Sequence, residues 1–147
     1  MFKEELTGVF VRDLDKLKQE IEAYKEESSL WIVKDGISNS AGNLCLHLIG
    51  NLKHFIGATL GDTGFVRQRD LEFSSKNIPR STMISDIDQT IQIVEATLTR
   101  LTTEDLDKNF PLEKHGEIVR TDYMLLHLLT HLNYHIGQIN YHRRLLD

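Results

Sequence analysis

The sequence predicts an all-α protein, specifically a four-helix bundle, from three observations. Four stretches of the 147-residue chain repeat apolar residues at steps of three and four. The two prolines, Pro79 and Pro111, fall outside those stretches, so neither removes a donor from a helix interior. No segment alternates apolar and polar residues as a half-buried strand does. No linker, low-complexity tract or internal repeat divides the chain, and residues 1–147 read as a single domain.

The first helix is predicted from Phe2 to Glu27. Leu6, Phe10, Leu14, Leu17, Ile21 and Tyr24 form one face, with Asp13, Lys16, Lys18, Glu20 and Glu22 on the other. A polar segment containing Gly36 follows, and Trp31 is expected to anchor it to the core. The second helix takes Ser38, Asn39 or Ser40 as its cap. It carries Leu44, Leu48, Leu52, Phe55 and Ile56, and is expected to end in the cluster Gly57 to Gly64. The third shows an unbroken seam of Ile84, Ile87, Ile91, Val94, Leu98 and Leu101, with Ser81 as expected cap. The fourth begins near Thr121-Asp122 and runs to the C-terminus through Leu125, Leu128, Leu129, Leu132, Ile136, Ile139 and Leu146. Arg143 and Arg144 fall in its last turn, where the helix dipole favours cations. The connection from Gly61 to Arg80 is far longer than usual between antiparallel neighbours. Partly extended, it spans a helix length, so helices two and three are expected to run the same way. Its core, Thr63 to Phe73, is rich in aromatic and charged residues, as functional loops often are.

A net charge of −5 without any Lys/Arg run argues against nucleic acid and anionic membranes as partners. The start, Met1-Phe2-Lys3-Glu4-Glu5, carries charge where an export signal needs an apolar run, so the cytoplasm is the expected compartment. The single cysteine, Cys45, excludes an intramolecular disulfide and Cys-x-x-Cys metal sites. Between Leu44 and Leu46 it reads as a small buried residue.

Four of the seven histidines lie in the last 21 residues. His127, His131 and His135 are spaced by four on one helix, and four residues displace a side chain by only about 40° around the axis. His131 and His135 can therefore point into one volume, the usual way in which a helix offers two imidazoles to one metal. A third ligand must come from another helix, and His47, flanked by Leu46 and Leu48, is the best candidate. His54, two turns on, is an alternative ligand, a proton shuttle or an amphipathic side chain at the bundle end. Asn51 and Gln138 are candidate pocket groups, with surface or capping roles as alternatives. His127 and His142 are expected to be neighbours or supports.

The string Leu44-Cys45-Leu46-His47-Leu48-Ile49-Gly50-Asn51-Leu52-Lys53-His54-Phe55, together with His127 to Gln138, resembles the DinB/YfiT-like superfamily. The resemblance covers the whole chain, including the Gly64-to-Phe73 connector. It implies a four-helix bundle of up-down-down-up order and a divalent metal held by His47, His131 and His135; imidazole ligands themselves point to zinc or nickel first, with iron also accepted. It also implies low-molecular-weight thiols such as bacillithiol or mycothiol as cosubstrates of a transferase or isomerase. The sequence departs where many members have Arg after the last metal histidine; here Ile136 stands, followed by Gly137-Gln138.

Three neutral imidazoles with an open position describe a catalytic site more than a structural one. The leading expectation is a metal-dependent transferase that joins a small thiol to a small electrophile, with Arg67 and Arg69 as candidate binders of the thiol. The competing reading of those arginines is pairing with Asp70 and Glu72. A non-enzymatic metal-binding or stress-associated module is the second expectation, and a metal-dependent hydrolase the third. The hydrolase needs a general base, and the histidine-rich motifs contain no Asp or Glu to act as one. A small-molecule substrate and a twofold homodimer complete the expected partners. Glu-x-x-His pairs of ferritin-like centres and His-Glu-x-x-His motifs are absent from the sequence.

Overall fold

The computed structural model describes residues 2–147, whose regular structure is helical throughout, with no strand among the described residues. In α1 (Phe2–Ala23) the buried stripe is Leu6, Phe10, Leu14, Leu17 and Ile21. Asp13 is buried beside them, its carboxylate accepting from Arg12 Nε at 2.9 Å and Asn133 Nδ2 at 3.3 Å. The helix stops short of the expected Glu27, and a separate 3₁₀ turn, Glu27–Trp31, follows. The reason is competition for donors: the Lys25 and Glu26 N–H groups donate to the Asp147 carboxylate at 2.7 and 3.0 Å.

Ser40 caps α2 (Ala41–Leu52), its Oγ accepting from the Asn43 N–H. A π-helical turn, Lys53–Ala58, and a last α turn, Thr59–Gly61, continue the helix until Asp62 adopts a left-handed conformation, so it ends within the expected Gly57-to-Gly64 cluster. Gly57 and Gly61 also allow close approach. A Cβ on Gly57 would lie 3.0 Å from Ile93, and one on Gly61 would lie 2.5 Å from Thr97 Oγ1. The long connector is not simply extended, because it contains α3 (Arg69–Ser74). At α4 (Arg80–Arg100) the cap is Pro79 and not Ser81, since the Thr82 and Met83 N–H groups bond to the Pro79 carbonyl. A Thr102–Asp105 capping box opens α5 (Thr103–Asp107). Two isolated bridges then tie the following loop before α6 (Thr121–Leu146).

The core lies where α1 packs on α4 and α6, and α2 packs on α6, α4 and α3. Leu14, Leu17, Leu48, Ile87, Leu98 and Leu132 are among its fully buried members. Trp31 anchors its segment as expected, its ring lying where a Cβ on Gly42 would come within 2.7 Å. Ile136, the position at which the sequence departs from the resemblance, is buried in this core. His142 is a structural support. Its Nε2 donates to the Ile32 carbonyl at 2.9 Å, which leaves Nδ1 to accept from the Tyr24 hydroxyl at 2.7 Å. Among the described residues no helix is long and apolar enough to cross a membrane.

Candidate metal centre

One turn separates His131 from His135 on α6, and α2 brings His47 to face them. His131 Nε2 lies 3.2 Å from His47 Nε2 and 3.2 Å from His135 Nε2. The three rings stand edge-on to one another, at 78°, 84° and 90°. Nitrogens about 2.0–2.1 Å from a tetrahedral ion are separated by about 3.3 Å, so the two spacings around His131 each match one edge of a coordination tetrahedron, and ligand atoms of all three residues lie within 4.8 Å of one another.

Partners on the far side of two rings set their tautomers. His47 Nδ1 lies 3.1 Å from Glu72 Oε1, and a carboxylate only accepts, so Nδ1 carries the proton and Nε2 presents its lone pair. His135 Nδ1 donates to Gln138 Oε1 at 2.7 Å, with the same result. His131 lies between them. As a donor its Nε2–H has two lone pairs to satisfy with one hydrogen; as an acceptor it completes a set of three lone pairs suited to a cation. Its Nδ1 is buried without a partner. Burial first, then the His135 and His47 rings, pushes the His131 pKa down to about 4, which keeps the ring neutral near pH 7. The His135 pKa is also lowered, chiefly by burial. His47, His131 and His135 form a group that could hold one metal ion, and their residue types fit zinc, nickel or iron.

Glu72 is the functional residue that the sequence reading missed. It arrives from α3 and is only 7% exposed. Arg67 donates to it twice, from Nε to Oε2 at 2.8 Å and from Nη2 to Oε1 at 2.9 Å. Burial alone would raise the Glu72 pKa; the bonds from His47 and Arg67, with their charge, outweigh burial and hold it below the usual value. The carboxylate sits where a side chain on Gly50 would have to be, so glycine one turn beyond His47 is a steric requirement. Asn43 fixes α3 in place. Its amide donates to the Glu72 and Ser75 carbonyls at 2.9 and 2.8 Å, while its Oδ1 accepts from Ser40 Oγ and Lys76 Nζ. Two signals in the sequence pointed this way: a glycine inside a well-formed helix three residues after His47, and a lone Glu between Leu71 and Phe73.

The other candidates separate. Arg67 follows its competing reading and pairs with Glu72, whereas Arg69 lies exposed over the Phe73 ring at 5.3 Å. Gln138 orients His135. Asn51, one turn from His47, is 7% exposed, and its Oδ1 is buried without a hydrogen-bond partner. His54 is not in the cluster: about 10 Å along the axis from His47, it packs edge-on against Phe55 at 4.7 Å. Its pKa is lowered, first by burial and then by the Arg67 charge. His127 also lies outside the cluster. Cys45 is fully buried, and burial pushes its thiol pKa far up, so it has no thiolate to offer.

The model of a family described as a protein of unknown function (DUF1572) matches residues 4–147. The chain belongs to this family. No curated protein matches it.

Proposed function

We propose that the chain is a DinB/YfiT-like four-helix bundle of up-down-down-up order. In this reading it is a divalent-metal-dependent transferase that joins a low-molecular-weight thiol to a small electrophile. The observation that carries it is the convergence of three imidazoles, with His131 Nε2 lying 3.2 Å from both His47 Nε2 and His135 Nε2. The long connector between α2 and α4 supports the bundle order, because it leaves chain enough to travel a helix length.

His47, His131 and His135 would hold the ion, Glu72 and Gln138 would keep two of the rings in the ligating tautomer, and the fourth position would stay open. A divalent ion there lowers the pKa of a thiol, making it a nucleophile at neutral pH. The thiol has to come from outside the chain, since Cys45 is buried and protonated. Hydrolysis is less well supported. Both Glu72 oxygens are engaged by Arg67 and His47, which hold its pKa below the usual value, so this carboxylate is a weak general base. A cytoplasmic homodimer completes the reading. Ile118, Tyr123 and Leu126 leave apolar surface exposed around the start of α6, which supports association.

The test is metal analysis of the purified protein followed by conjugation assays with a panel of thiols and electrophiles. Metal-dependent turnover with one thiol is expected; none across the panel overturns the transferase reading. His131→Ala then separates catalysis from a structural metal, because a folded but inactive variant supports catalysis and an unfolded one opposes it.

A further inference from the structure

Beside the centre lies a cavity of about 640 Å³, between residues 34–39 and the second half of α6. That is the size of a pocket for a drug-sized molecule. Its floor is a single face of α6: His135, Gln138, Tyr141 and Leu145 follow one another at steps of three and four. His135 belongs to both structures, its Nε2 in the metal cluster and its Nδ1 bonded to Gln138.

The lining is largely apolar and open. Ile37, Tyr134, Tyr141 and Leu145 are 42%, 65%, 64% and 76% exposed, which is unusual for side chains of that size gathered at one cavity. The two charges of the lining segment, Lys34 and Asp35, are adjacent and opposite, so the rim selects neither anions nor cations. Flat phenol rings and branched aliphatic groups instead favour a ring or branched hydrocarbon.

We propose that this cavity binds an uncharged small molecule with an apolar, ring-sized body, whose one polar end reaches His135 and Gln138 at the metal centre. The inference rests on the transferase reading and narrows it: the apolar molecule is the electrophile, while the hydrophilic thiol approaches elsewhere.

The test uses Co²⁺-loaded protein and two probes with the same metal-binding head, acetohydroxamate and benzohydroxamate, titrated by the visible absorption of the ion. Benzohydroxamate is expected to bind at least tenfold tighter than acetohydroxamate. Tyr141→Asp and Leu145→Asp, both at exposed positions, should abolish that preference and leave acetohydroxamate within about twofold, while Tyr141→Phe should retain it. Equal affinities in the wild type, or a preference that survives both Asp variants, would overturn the cavity assignment with the metal centre intact. Failure to take up Co²⁺ at all shows a different defeat, that of the metal reading, and the inference falls with it.

Discussion

At the scale of single residues, the pair Gly50 and Glu72 shows two effects in opposition. Alanine is favoured over glycine inside a helix by about 1 kcal/mol. At position 50 a methyl group would collide with the Glu72 carboxylate, so the propensity gain comes with displacement of the group that orients His47. Gly50→Ala and Glu72→Gln are both expected to weaken metal binding about 10- to 100-fold, read by competition against a chelator. In the metal-free protein His131 gives a pH signature. Its folded pKa, about 4, lies below the ordinary 6.5, so the unfolded chain binds the proton more readily. Stability from this ring is complete above pH 6.5 and lost as pH falls toward 4. Thermal melts in chelator should show this decline, and His131→Leu should flatten it.

At the scale of elements, α3 matters out of proportion to its length. It has too few residues to be stable alone, and Asn43 holds it by the Glu72 and Ser75 carbonyls. Asn43→Ala leaves those carbonyls without their donor and is expected to cost about 2 kcal/mol, seen in denaturant melts, with weaker metal binding alongside. The four long helical stretches were legible in the sequence because each writes its buried face in its own periodicity. So was the pair His131 and His135, a spacing internal to one helix. Glu72 was not, because its partners Gly50 and His47 lie more than twenty residues away and a loop carboxylate near arginines reads as solvated charge. The end of α1 was misread for a related reason: it stops at Ala23, and the Lys25 and Glu26 N–H groups donate to Asp147, at the far end of the sequence.

At the scale of the whole molecule, the centre joins α2 to α6, while the apolar core extends well beyond it. Stripping the metal should therefore loosen the protein without unfolding it. At a free ion concentration about a thousandfold above Kd, binding stabilises by about 4 kcal/mol, which for a chain of this size corresponds to a fall of about 10 °C in Tm on chelation. The helical circular dichroism signal should persist. Away from the centre, Tyr24→Phe removes the donor to buried His142 and is expected to cost about 1–3 kcal/mol in stability with metal affinity unchanged. A loss of metal in that variant would show that the two histidine sites communicate.

The three histidines proposed as ligands lie on long helices, yet the carboxylate bonded to His47 is carried by the connector together with the arginine that holds it. Composition and tuning of the centre thus reside in separable pieces of chain. A graft confined to residues 61–80 could change how strongly His47 donates to an ion while leaving every ligand in place, giving this fold a dial that evolution can turn without rebuilding the site.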